Sequence, residues 1–229
     1  HLYDELQLHY ERLQSLEALR DNLTHMIVHD MRSPAAAAQG YLEIFQDSDG
    51  DARRDRVSTC IPKAHACISR LLDMITSVLD VSRLEAEQME LHPSRVDLRN
   101  VIGRAIELAG GRHKDVEIRT QLPQTPLEVV VDPEVVRRVI TNLISNAVKF
   151  SPSGGAVTVS ACPADAAVRV EVVDTGPGIA PEYHEIIFDK FGQVEERSQG
   201  RLLSTGLGLT FCKLAVEAHG GRIGVTSRL

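Results

Sequence analysis

"NLISNAVKF", residues 142–150, sets two amides and an ammonium on one helical face, with Asn142, Asn146 and Lys149 standing at i, i+4 and i+7. Such a strip offers hydrogen-bond donors and a lysine able to hold phosphate as a point charge. It also offers a carbonyl-type oxygen of the kind Mg²⁺ accepts while phosphate and water complete its octahedron. The outer face of any surface helix is polar too, so the meaning of the strip depends on what surrounds it.

Downstream, "DTGPGIA" (174–180) follows a predicted strand directly. Asp174 at the strand end is a short acceptor, able to take a hydrogen bond from an exocyclic amine such as that of adenine. Gly176 and Gly178 permit tight turns and close approach of a ligand. "TGLGLT" (205–210) then opens a helix. Gly206 and Gly208 leave backbone N–H groups free where a helix N-terminus favours anions. A plain turn is the alternative for each loop taken singly.

Around these motifs the period alternates between helix and strand. A helix is predicted over 97–109, a short strand near 116–120, and a strand over 126–132 closed by Asp132. Asp132 is an N-cap candidate with Pro133 at the first helical position. A helix over 133–149, strands over 156–162 and 166–174, and a helix starting near Pro181 follow. Residues 192–205 are polar and loop-like. A last helix stops at the pair Gly220–Gly221, and a strand begins at Arg222.

The first part of the chain is helical. Leu6, Leu13 and Ile27 lie on one heptad column and Leu2, Leu16 and Leu23 on its companion, with His9 and Arg20 as polar breaks. This predicts a coiled coil leading into a helix to residue 45, an amphipathic surface helix being the alternative. "QDSDGDARRD" (46–55) reads as a turn. Beyond it Ile61, Ile68 and Ile75 recur every seven residues, beside the columns Cys60, Cys67, Met74, Val81 and Ala64, Leu71, Val78. A face this wide needs more than one neighbour, which a hairpin dimerising into a four-helix bundle supplies. Pro62 is a possible kink. Pro93 marks a linker.

The chain has 229 residues, 43% hydrophobic and 4% aromatic with no Trp, so an aliphatic core is expected. A net charge of −7 speaks against nucleic acid and anionic lipid as partners. Four cysteines without a CxxC pair suit reduced thiols in a cytoplasmic setting rather than a zinc site. No apolar run is long enough to span a membrane. No signal peptide is seen. A first residue other than Met suggests a piece of a longer protein, such as the cytosolic part of a membrane-anchored receptor.

Taken in order, NLISN (142–146), DTGPG (174–178), FDKFG (188–192) and GLGL (206–209) resemble the boxes of the ATP-binding domain of sensor histidine kinases. HDMRSP (29–34) resembles that family's phosphoacceptor box. The resemblance implies an α+β chain: an N-terminal helical hairpin forming a dimeric four-helix bundle, then an α/β sandwich of the Bergerat, GHKL type. It implies a coiled-coil signalling helix over 1–24 and a dimerisation and phosphotransfer domain over 25–90. A linker over 91–96 and a catalytic ATP-binding domain over 97–229, short of a closing strand, complete the division. By the same resemblance His29 accepts the γ-phosphoryl group and Asp30 acts as a base on it. Ser33 occupies the position tied to phosphatase activity, usually Thr or Asn. Asn146 holds Mg²⁺, and Asn142 and Lys149 contact phosphate. Asp174 reads adenine in a pocket shaped by Gly176 and Gly178, with Phe150 and Leu207 also at the nucleotide. Gly206 and Gly208 approach the triphosphate. Phe188 and Phe191 anchor a lid over 192–205.

The residues agree on one point independently. If Ile27 lies on the seam, His29 is rotated by about 200° from it and faces solvent. Pro34 removes a backbone donor just beyond. The alanines 35–38 leave a shallow surface where the family usually carries larger aliphatics. His25 lacks the acidic neighbour, and His65, His113, His184 and His219 read as ordinary surface or core residues. The expected function is ATP–Mg²⁺-dependent autophosphorylation of His29 and transfer to an aspartate of a response regulator, in a homodimer. A different ATPase on the same nucleotide fold, or a pseudokinase scaffold that binds a regulator without catalysis, is the alternative.

Overall fold

A computed structural model describes residues 7, 10, 27–46, 50–110, 115–165, 167–190, 192 and 206–228. The heptads before residue 27, His25, His113, Phe191 and most of the expected lid lie outside the described residues. The chain divides into two compact units, His1–Val78 and Leu79–Leu229.

In the first unit residues 27–46 form helix α1, which runs without interruption through the buried Pro34. Helix α2, Gly50–Glu85, begins inside the stretch expected to be a turn and continues past Pro62. The acidic and basic residues 51–55 thus carry helix rather than loop, consistent with the good helix propensity of Ala and Arg there. Contacts between the helices include two with clear chemistry. The Arg56 guanidinium donates to the Ile44 carbonyl at 3.2 Å, where a cation suits the C-terminal end of α1, and the Lys63 ammonium lies 5.6 Å from the Tyr41 ring centroid. Cys60, Ala64 and Met74 are buried, whereas Ile61, Ile68, Leu72 and Ile75 leave an apolar strip exposed on α2.

The second unit starts within α2, whose last turns place Val81 and Leu84 in a cluster with Val139, Phe211, Cys212 and Ala215. Asp80 pairs with Arg138, whose guanidinium also lies 4.2 Å from the Phe211 ring centroid. Strand β1 (Ser94–Asp97) runs antiparallel to β3 (Glu128–Val131), with Ser94 opposite Val131. Part of the expected linker is therefore strand. Four residues beside Pro93 show no alternation of their own, and the ladder comes from a partner distant in sequence. Helix α3 is Leu98–Gly110 and helix α4 is Pro133–Phe150. A second sheet has the order β2 (Glu117–Gln121), β4 (Ala156–Ala164), β5 (Ala167–Asp174), with β2 parallel and β5 antiparallel to β4. Val157, Val159 and Ala161 alternate inward against Ile102, Ala105, Ile140 and Ile144 of α3 and α4, making one aliphatic core. The outward Thr158 and Ser160 are only partly covered.

Near Pro181 the chain forms two 3₁₀ turns, Pro181–Tyr183 and Ile186–Phe188, instead of a helix. Their hydrogen bonds reach back only three residues, as from Tyr183 N–H to Ala180 O at 2.9 Å. Helix α5 is Gly208–Ala218. Residues 221–228 join no strand ladder, so the strand expected from Arg222 is not formed among the described residues. Backbone extension becomes a strand only with a neighbour to pair with, and this segment is held by side chains instead. Ser227 Oγ accepts from Ile179 N–H at 2.9 Å, and Ile223 packs on the Phe211 cluster. No described helix is long and apolar enough to cross a membrane.

Two aspartates secure the helix starts. Asp132 caps α4 by accepting from Glu134 and Val135 N–H at 3.0 and 3.1 Å and from His92 N–H at 2.9 Å. Burial alone would raise its carboxyl, but these N–H donors outweigh it and hold the pKa below the ordinary value. Asp97, at the start of α3, is held at about 2, chiefly by the Arg99 guanidinium against some burial and with help from Leu127 N–H. A depressed carboxyl adds stability above its unfolded pKa, 3.8, and loses it as pH falls towards about 2. Wild type is therefore expected to lose more stability than Asp97→Asn between about pH 4 and 2. Urea unfolding at pH 5, 3 and 2.5 measures it; parallel losses would remove Asp97 as a source of the acid limb.

Candidate functional site

On α1, His29 is 70% exposed and Asp30 25%, with Nδ1 3.5 Å from Oδ1, the outer limit of a hydrogen bond. A carboxylate only accepts, so a hydrogen bond here requires the proton on Nδ1, the tautomer that leaves the lone pair on Nε2. Ser33 and residues 35–37 are exposed, while Ala38 is buried.

The remaining candidates belong to the second unit. The apolar positions of α4 (Val139, Ile140, Ile144, Ala147, Val148) face the core, which leaves Asn142 and Asn146 half-buried on another side. Across from them α5 begins at Gly208. A Cβ added there would sit 4.0 Å from Asn142 Nδ2, so the amide strip and the glycine loop are neighbours. Gly206 has φ +65°, a left-handed conformation that glycine adopts without strain. The Thr210 hydroxyl shares its proton between Gly206 O at 3.2 Å and Asp189 O at 2.9 Å, tying the glycine loop to FDKFG. Leu207 and Phe188 are buried, and Lys190 Nζ pairs with Glu85 at 2.5 Å.

At the other end of α4 the Phe150 carbonyl meets the Asp174 loop. A Cβ on Gly176 would lie 2.7 Å from Asp174 Oδ1 and 3.0 Å from Phe150 O, so a side chain there would displace the Asp174 carboxylate and press on the end of α4. Asp174 is exposed, and its Oδ1 accepts from Gly176 N–H at 2.7 Å. Gly178 sits at φ +82°. The Lys149 ammonium lies 4.7 Å from the Phe150 ring centroid, and that ring is half exposed. Asn142, Asn146, Lys149, Phe150, Asp174, Gly176, Gly178, Gly206, Leu207 and Gly208 thus gather along α4 and its two facing loops. His29, Asp30 and Ser33 belong to the other unit.

Several contributors carry no sequence signal. Thr175 Oγ1 accepts from Ala156 N–H at 3.2 Å and pins the loop to β4. His184 and Ser227 both reach Ile179. Thr175 and Thr210 lie inside the DTGPGIA and TGLGLT stretches, but neither motif assigns its threonine a role, and His184 and Ser227 lie outside every motif. Cys212 packs beneath the amide strip. Burial pushes its thiol up to about 12, against a smaller opposing effect of the Asn142 amide. Cys162 is exposed. Iodoacetamide is expected to alkylate Cys162 in the native protein and spare Cys212. Peptide mapping reads the outcome, and native labelling of Cys212 would show that α5 opens readily.

A hairpin bearing an exposed His–Asp pair, followed by a sandwich with an amide strip between two glycine loops, defines a phosphoacceptor module joined to a nucleotide-binding one. Residues 19–87 match the His Kinase A (phospho-acceptor) domain, and residues 131–229 match the histidine kinase-, DNA gyrase B- and HSP90-like ATPase. The chain belongs to the sensor histidine kinases and carries their catalytic core, including an ATP-binding domain. It is 32% identical to the mycobacterial sensor histidine kinase MprB, over 59% of this chain and 85% of that structure, with a TM-score of 0.52. It is 29% identical to full-length ShkA, solved in complex with AMPPNP, over 91% of this chain and 43% of that one, with a TM-score of 0.66. The histidine protein kinase DivJ of Caulobacter vibrioides is 34% identical over the whole chain, which spans 38% of DivJ's length.

Proposed function

We propose that this chain transfers the γ-phosphoryl group of ATP to His29 and passes it on to an aspartate of a response-regulator receiver domain. The observation that carries the reading is His29 itself, an exposed imidazole with the Asp30 carboxylate at Nδ1, in a chain that also holds an ATPase domain. The Nε2 lone pair attacks the γ-phosphorus in line, an N–P bond forms, the bond to the β,γ-bridging oxygen breaks, and ADP leaves. Asp30 stabilises the imidazolium that forms and takes the Nδ1 proton as the charge resolves. Positioning and charge neutralisation supply the rest of the catalysis.

Asp174 accepts from the adenine amine, with Gly176 and Gly178 keeping the loop close to the base. Asn142, Lys149, Gly206 and Gly208 face the phosphates, and Phe150 and Leu207 flank the nucleotide. No cluster of three His, Cys, Asp or Glu among the described residues could hold a metal. The half-buried Asn146 amide fits a cation shared with phosphate rather than caged by protein. Asn146 would hold Mg²⁺, which when bound neutralises the phosphate oxygens. ShkA, solved with AMPPNP, supports the nucleotide assignment.

In this reading the phosphotransfer domain occupies 25–90 and the ATP-binding domain 97–229, with a signalling segment (1–24) before them. The strip Ile61, Ile68, Leu72 and Ile75 is the surface through which two copies pair. Ser33 orients water in any phosphatase step, and the cytoplasm supplies both ATP and regulator. Incubation with γ-labelled ATP and mapping of the acid-labile label tests the reaction. Label is expected on His29; label on His25, or none, removes the proposal.

A further inference from the structure

We infer that His184 and Ser227 are positioning residues for the nucleotide-base loop, clamping both backbone polar groups of Ile179. The inference rests on the reading of Asp174 as the adenine acceptor. The loop from Asp174 to Ala180 contains two glycines, one of them at φ +82°, so its backbone has many conformations available when nothing holds it. Its near end is tied by the Thr175 hydroxyl to β4. Its far end runs into the 3₁₀ turn Pro181–Tyr183, where Tyr183 N–H donates to Ala180 O, and the peptide just before that turn is Ile179. There the Ile179 N–H donates to Ser227 Oγ at 2.9 Å, and His184 Nε2–H donates to the Ile179 carbonyl at 3.0 Å.

The two clamps come from different places. The tight turn closed by Tyr183 N–H on Ala180 O and His184 N–H on Pro181 O folds the imidazole back onto Ile179. Ser227 arrives from the segment beyond α5 that forms no ladder. Both side chains are half-buried, which limits replacement by water. Neither residue lies among the family boxes, and the hydrogen bonds they make go to Ile179 rather than to Asp174. They act by raising the fraction of molecules whose loop already has the base-accepting shape. Apparent affinity is the intrinsic affinity scaled by that fraction.

Losing one clamp removes one net hydrogen bond, which weakens ATP binding by roughly 2- to 12-fold. GTP has no exocyclic amine matched to Asp174, so it is expected to lose less, and the preference for ATP narrows. Calorimetric titration of the whole chain with ATP and with GTP tests this on wild type, His184→Ala, His184→Gln, Ser227→Ala and Asp174→Asn. The expected result is weaker ATP binding and a reduced ATP-over-GTP preference in both Ala variants. His184→Gln should recover much of the loss, because its amide still offers an N–H. ATP affinity at the wild-type level in the Ala variants overturns the clamp. So does an equal loss for both nucleotides that tracks a lowered Tm and is not recovered by Gln. If Asp174→Asn erases the ATP preference while the Ala variants keep it, only the clamp fails. If Asp174→Asn leaves the preference intact, the adenine assignment fails and takes the clamp with it.

Discussion

His29→Gln is expected to abolish autophosphorylation while leaving ATP affinity within about twofold of wild type. Glutamine keeps a polar side chain on the exposed face of α1, so the helix is not disturbed. It removes the only atom there with a lone pair basic enough to take the phosphoryl group. His29 lies in the first compact unit, and every residue gathered around the nucleotide loops lies in the second. Loss of the acceptor should therefore leave binding untouched. A complete loss of label with unchanged binding is the signature of a missing nucleophile, whereas a misfolded variant would lose both. The two measurements are incorporation of γ-labelled phosphate and titration with a non-hydrolysable ATP analogue. Acid-labile label retained by the variant would move the acceptor elsewhere on the chain.

Gly176→Ala should damage the opposite half of the reaction. The new methyl would meet Asp174 Oδ1 at 2.7 Å and the Phe150 carbonyl at 3.0 Å. The carboxylate oxygen can swing away, but doing so breaks its bond to Gly176 N–H and moves the group assigned to adenine. The Phe150 carbonyl belongs to the last turn of α4 and yields only if the helix end shifts. Overpacking of this kind costs about 1–3 kcal/mol. Where that strain falls on the ATP-binding conformation, affinity drops by roughly 5- to 150-fold. Gly103→Ala is the control. Gly103 lies in α3 with nothing within 4 Å of an added Cβ. A helical Gly-to-Ala change in open space is neutral or stabilising by about 0.5–1 kcal/mol. Titration with ATP and thermal unfolding of both variants decide the matter. Wild-type ATP affinity in Gly176→Ala would mean that the loop has more room than the close approach to Phe150 indicates.

Local physics makes much of this site legible in the sequence. The exposure of His29 follows from helical rotation away from Ile27. The Asp132 cap and Pro133 start of α4 follow from N-terminal preferences acting within three residues. The grouping of Asn142 with Asn146 is a consequence of helical spacing alone, and an aliphatic core was implied by composition. The order of the glycine boxes identified the family because the motifs are short and contiguous.

What the sequence left open depends on contacts between distant residues. Strand β1 exists because β3 pairs with it, so residues 94–96 read as linker when taken alone. Helix α2 reads as one periodic element. Yet its last turns belong to the nucleotide unit, because Asp80 meets Arg138 and Val81 meets Phe211 from far along the chain. The segment from Gly221 to Arg228 has strand-like composition and no ladder, since hydrogen bonding to a neighbour and not propensity makes a strand. His184 and Ser227 gain a role only when the fold sets both against one peptide, separated in sequence by 5 and 48 residues from Ile179. Periodicity and capping act over a few residues and are legible in order along the chain. Pairing, close approach and clamping act through space, and the folded backbone alone decides which residues share them.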